Sequence, residues 1–145
     1  MRILLQRVSS ANVKVQGKIV GQIHRGILLF VGITHTDTNK EVEFLAEKCL
    51  HLRIFENENG KMNHSVLDTK GEILVVSQFT LYGDTAKGRR PGFDMAAKPE
   101  IAEKYIQSFT EKLKESGLNI QTGKFRENMQ VELVNDGPVT FQLEK

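Results

Sequence analysis

The sequence predicts a single α/β domain over residues 1–145, a mixed, strongly curved, barrel-like sheet with two helices packed against it. Three observations carry this. Two continuous apolar runs, Ile27–Val31 and Ile73–Val76, are short and rich in β-branched residues, as buried strands are. Two longer segments, 39–51 and 99–116, repeat apolar residues at helical spacing. Residues 129–133 and 139–143 alternate apolar and polar, as half-buried strands do.

Taken in order, residues 2–8 and 11–15 read as strands, Gly17 interrupts the chain, and 18–23 resume strand character before the run after Gly26. Thr38 and Glu41 form a capping-box signature ahead of Val42, Leu45, Ala46 and Cys49, which share one helix face. Cys49 on that stripe reads as a small core residue, because no base neighbours it in sequence. A short strand is expected at 52–55, then a turn at Asn57–Gly60. Pro99 suits the first turn of the second helix, and Gly117 its stop. The tail reads as a hairpin whose arms join at Asn135-Asp136-Gly137-Pro138.

Composition narrows the classes. At 39% hydrophobic and 26% charged, the chain is an ordinary globular one, neither disordered nor fibrous. It shows no membrane-length apolar run and no signal peptide. The single cysteine excludes an internal disulfide and a multi-cysteine zinc site, and the cytoplasm is the expected compartment. A net charge of +2 is too weak to imply nucleic-acid binding, but Lys87, Arg89 and Arg90 crowd into one glycine-rich loop ahead of Phe93. Read alone, that loop also fits a plain solvated turn.

The usual catalytic patterns are absent. The four histidines show no HxH or HExxH spacing, and there is no GxSxG elbow, P-loop or paired carboxylate. Two segments stand out instead. Ser77-Gln78-Phe79-Thr80 puts polar groups at the end of an apolar strand, where sheet proteins often build sites. Asn135-Asp136-Gly137-Pro138 places a proline where a hairpin seldom has one. Each alone also fits an ordinary turn.

Together, Ser77–Leu81 and Asn135–Thr140 resemble the two signature motifs of the D-aminoacyl-tRNA deacylase family. Gln6-Arg7-Val8 and Gly88–Phe93 match as well, and the resemblance spans the whole chain. Where the family has a glycine and a small residue after Phe125, this chain has Arg126-Glu127-Asn128, a segment near the entrance in the family fold. The resemblance implies a homodimer without metal or organic cofactor. It would hydrolyse the ester between a D-amino acid and the 3′-terminal ribose of tRNA, and glycyl-tRNA too. It also implies that Gly137-Pro138 is cis and enters the partner's site, with Arg7 as its support.

On that reading the main chain of Gly137-Pro138 would meet the substrate ammonium and reject an L centre. The Phe79 and Thr80 N–H groups would form an oxyanion hole, with Ser77 and Gln78 holding the adenosine. Thr80 as a nucleophile lacks a base, so water aided by the ribose 2′-hydroxyl is preferred. Lys87, Arg89 and Arg90 would meet tRNA phosphates. Two alternatives stay open: a hydrolase of small D-amino acid esters or amides, and a non-enzymatic RNA-binding module. The second is disfavoured by 7% aromatic content and no tryptophan.

Overall fold

A computed structural model describes every residue, Met1–Lys145. Three strands open the chain: β1 (Arg2–Val15), β2 (Lys18–Ile23) and β3 (Gly26–Gly32). Helix α1 (Asn39–His51) leads to β4 (Phe55–Glu56) and β5 (Met62–His64), which pair as a separate ribbon. Strand β6 (Glu72–Ser77) is followed by a 3-10 turn at Phe79–Tyr82, helix α2 (Pro99–Lys114), β7 (Ile120–Thr122) and β8 (Met129–Glu144). The main sheet runs β2-β1-β3-β6-β7, with β8 on the other edge of β1. It is mixed: β1 is antiparallel to β2, β3 and β8, whereas β3, β6 and β7 run parallel. At Gly21 a Cβ would stand 2.4 Å from the Thr122 carbonyl oxygen, so only glycine lets β2 approach β7 and nearly close the barrel. No helix is long and apolar enough to cross a membrane.

The expected strands at 2–8 and 11–15 are one strand with a bulge. Val8 pairs with Asn135 and Ser10 with Val134, which leaves Ser9 as an extra residue. An inserted residue reverses the alternation of side chains. Ile3 and Leu5 therefore point to the helix side, while the equally odd-numbered Ala11 and Val13 point to the other.

The tail is not a hairpin. Strand β8 runs antiparallel to β1 from Met129 opposite Val15 to Glu144 opposite Arg2, without reversing. Gln6 pairs with Thr140 and Val8 with Asn135, so Arg7 alone faces the segment Asp136–Val139. The side chain of Asn135 bridges that bulge: its Oδ1 accepts from the Val139 N–H at 2.9 Å and its Nδ2 donates to Thr140 Oγ1 at 2.8 Å. The chain thus re-enters the ladder in its original direction.

The short strand expected at 52–55 shrinks to Phe55–Glu56. Leu52 donates its N–H to Lys48 O at 3.0 Å as the C-cap of α1, and the Ile54 carbonyl is taken by Arg7. Helix α1 has the expected bounds and capping box. Helix α2 stops at Lys114, and Gly117, at φ +76°, turns the chain away. Both helices cover one face of the sheet, where Leu45, Phe109 and Leu113 join the strand residues in the larger core. Cys49 is buried there, and burial pushes its thiol pKa up, as a packing residue requires.

Candidate active site

At the carboxyl end of β6 the chain leaves the sheet. The Gln78 N–H still donates to Val31 O at 2.8 Å, and the Leu81 N–H then turns back to Gln78 O at 3.3 Å. The following residues wind into the 3-10 turn, whose first N–H groups have no acceptor within the turn. Beside this strand end lies a cavity of about 610 Å³. Ser77, Gln78 and Phe79 form one wall, and Phe125, Arg126 and Met129 face them. Phe79 is 56% exposed and its ring centroid lies 5.0 Å from that of Phe93, which also lines the cavity.

Thr80 stands beside the cavity, not in its wall. Its hydroxyl accepts a hydrogen bond from Gln78 Nε2. An amide cannot act as a base at neutral pH, and none of the four histidines lines the cavity. No cluster of three or more His, Cys, Asp and Glu residues is arranged to hold a metal ion.

Gly137 and Pro138 stand elsewhere in the same chain. Ser77 is in register with Val31, Val31 with Ile3 and Ile3 with Leu143. Gly137 sits opposite Arg7, further along β1 and on the far side of it from β6. The Gly137–Pro138 peptide is cis, and both residues are exposed. Arg7 is only 5% exposed and is committed to this segment. Its Nε donates to Asp136 O at 2.9 Å, its Nη1 to Ile54 O at 2.6 Å, and Asp136 and Glu56 carboxylates lie at 3.4 and 3.8 Å. The guanidinium is thereby paired despite its burial.

Lys87, Arg89 and Arg90 are exposed in the loop between Asp84 and Gly92. Reciprocal backbone bonds of 2.8 and 2.9 Å between Asp84 and Gly92 pinch its base, directly before Phe93. The loop therefore leads into a cavity-lining residue, and its three cations have no salt-bridge partner.

The structure thus gathers Ser77, Gln78 and Phe79 around one cavity, sets Thr80 and the basic loop beside it, and leaves Arg7, Gly137 and Pro138 apart. The far wall, Phe125 to Val131, is absent from the sequence-based site. Its one signal was the Arg126-Glu127-Asn128 departure from the family pattern.

Comparisons with known proteins cover nearly the whole chain. A family model described as D-Tyr-tRNA(Tyr) deacylase matches residues 4–144. A D-aminoacyl-tRNA deacylase of Bacillus cytotoxicus is 58% identical over 144 residues, 99% of each chain. One of Brevibacillus brevis is 59% identical with the same coverage. Among solved structures, a c-Myc DNA unwinding element binding protein superposes with a TM-score of 0.94 at 46% identity, over 100% of this chain and 99% of its own. A probable eukaryotic D-amino acid tRNA deacylase shares the fold, with a TM-score of 0.82 at 18% identity over 98% of each chain.

Proposed function

The chain belongs to the D-Tyr-tRNA(Tyr) deacylase family and is a D-aminoacyl-tRNA deacylase, and on that premise we propose how its residues divide the work. The observation that carries the reading is the cavity at the end of β6, walled by Ser77, Gln78 and Phe79, with an unpaired basic loop leading into its Phe93. The 3′-terminal adenosine enters this cavity, held by Ser77 and Gln78, with its aminoacyl ester against the start of the 3-10 turn. The Phe79 and Thr80 N–H groups face the ester oxygen as it gains charge, and such donors contribute about 3–4 kcal/mol each. Water attacks with help from the ribose 2′-hydroxyl, and the products are free D-amino acid and tRNA. Thr80 orients with Gln78 and forms no acyl intermediate. Lys87, Arg89 and Arg90 meet the phosphates of the acceptor end in the cytoplasm.

Chirality falls to Gly137 and Pro138 of a second copy. Their main chain, fixed by Arg7, meets the substrate ammonium and leaves no room for the Cβ of an L residue. Glycyl-tRNA, without a Cβ, passes. Two observations support a composite site. Within one chain these residues and Ser77–Thr80 lie on different strands, with β1 and β3 between them. Strand β8 is also a 16-residue edge with one unpaired side, and it exposes Val134 at 57% and Phe141 at 40%. So long an apolar edge is normally covered, and a second copy covers it here.

Complementation tests this reading. Gln78→Ala and Gly137→Val chains are each expected to lose most activity toward a D-aminoacyl-tRNA. Mixed by co-refolding, they should regain about a quarter of wild-type activity, because half the dimers are mixed and each carries one intact composite site. Mixed dimers that regain nothing would contradict the composite site.

A further inference from the structure

The cavity's far wall ends in a turn whose geometry is costly for the residue it carries. The Glu127 N–H donates to Lys124 O at 3.3 Å, with Phe125 and Arg126 as the central residues. Arg126 has φ +64° and Phe125 does not share the positive sign. That is a type II turn with an arginine at the position that favours glycine. Strain of this kind persists at functional sites more often than elsewhere. The neighbouring charge is compensated: Glu127 Oε1 is 3.3 Å from Lys124 Nζ. Arg126 has no salt-bridge partner, is exposed, and lines the cavity opposite Phe79. An uncompensated guanidinium is therefore presented where the cavity opens to solvent.

We propose that Arg126 binds the phosphodiester that joins the last two nucleotides of the tRNA, and so positions the terminal ribose. This rests on the reading that the aminoacylated adenosine occupies the cavity. A volume of about 610 Å³ accommodates a nucleoside with an aminoacyl group. With the ester held against Ser77–Thr80, the 5′ side of the ribose leads outward. The first charge it meets is that phosphodiester, and a guanidinium fork matches its paired oxygens. Arg126 thus acts on the last phosphate, whereas the loop of Lys87, Arg89 and Arg90 ahead of Phe93 meets more distant ones.

The test compares wild type, Arg126→Gly and Arg126→Lys on D-alanyl-tRNA and on 3′-O-D-alanyl-adenosine, which lacks the phosphate. Arg126→Gly is expected to raise KM for the tRNA about tenfold with little change in kcat, and to lower its salt slope by about 0.7. The preference for tRNA over the adenosine ester should shrink by the same factor, and Arg126→Lys should recover part of it. Because glycine relaxes the turn, the melting temperature should rise by about 2–4 °C. Equal losses on both substrates, or a wild-type KM and salt slope for Arg126→Gly, would overturn the assignment. So would a loss confined to tRNA carrying acidic D-amino acids. If wild type cleaves neither substrate, the fault lies with the proposed function itself.

Discussion

On the helix side of the sheet, 21 buried residues form one cluster sealed by α1 and α2. On the other side only seven are buried, and Phe30, Met129, Val131 and Leu133 are left partly covered around them. The same strands build both. In β6, Ile73 and Val75 point into the sealed cluster, while Leu74 and Val76 point into the open one, and Val76 reaches the cavity wall. Alternation thus lets one strand serve stability and function on opposite faces. The sealed face supplies most of the apolar burial that holds the fold, and the other keeps partly covered apolar side chains beside the cavity.

Damage to the sealed face alone should have the largest effect on stability. Phe109 is fully buried there, and Phe109→Ala should cost about 3–5 kcal/mol, read as a drop in the denaturation midpoint. At a temperature where the variant is folded, its KM for D-aminoacyl-tRNA should equal that of wild type. A severalfold change in KM would show that the two faces are not separable. On the open face the expected pattern reverses. Replacing Lys87, Arg89 and Arg90 together by alanine should leave the melt within about 0.5 kcal/mol, since all three are exposed. The salt dependence of tRNA turnover, plotted on logarithmic axes, should flatten by about 2–3.

Tyr82 is buried outside both clusters. It is 6% exposed at the end of the 3-10 turn whose first residue, Phe79, is 56% exposed. Burial, with the Asp37 carboxylate adding to it, pushes the Tyr82 phenol pKa up from 10.0 to about 12. The unfolded chain therefore releases this proton near pH 10 and the folded chain holds it. The resulting stability is fully present below pH 10 and is lost as pH rises toward 12, by about 2 kcal/mol. Denaturation midpoints across that range should fall less steeply for Tyr82→Phe than for wild type. An unchanged slope would show that Tyr82 does not carry the alkaline loss. The smallest effect is expected at Thr80. Because its hydroxyl is paired only with the Gln78 amide, Thr80→Ala should keep kcat within about threefold of wild type. A trapped acyl-threonine would contradict this.

Much of the sealed face was legible from local signals. The Thr38–Glu41 capping box and the apolar stripe after it specified α1 within its observed bounds, because caps and helical spacing act over a few residues. The runs at Ile27–Val31 and Ile73–Val76 likewise became paired parallel strands. What failed was direction and closure. Asn135-Asp136-Gly137-Pro138 does interrupt the ladder, as its composition suggests. The chain keeps its direction there because the Asn135 side chain bridges the bulge and Arg7, 129 residues before Asp136, holds it from across the ladder. Ser9 likewise forms a bulge that no local residue announces. At the site, Ser77–Phe79 could be identified as a unit because they follow one another in sequence. Phe125, Met129 and Val131 were missed because only barrel closure carries them across to Val76.

On the proposed reading, this cavity hydrolyses D-aminoacyl esters of tRNA and spares L-aminoacyl ones. Its most direct test is hydrolysis of matched pairs by the purified wild-type protein, D-alanyl- against L-alanyl-tRNA, with glycyl-tRNA as the achiral reference. The expected result is rapid release of D-alanine and glycine, and an L-alanyl-tRNA half-life indistinguishable from the protein-free control. Cleavage of both enantiomers at similar rates would contradict the role given to Gly137 and Pro138, and cleavage of none would contradict the enzyme itself.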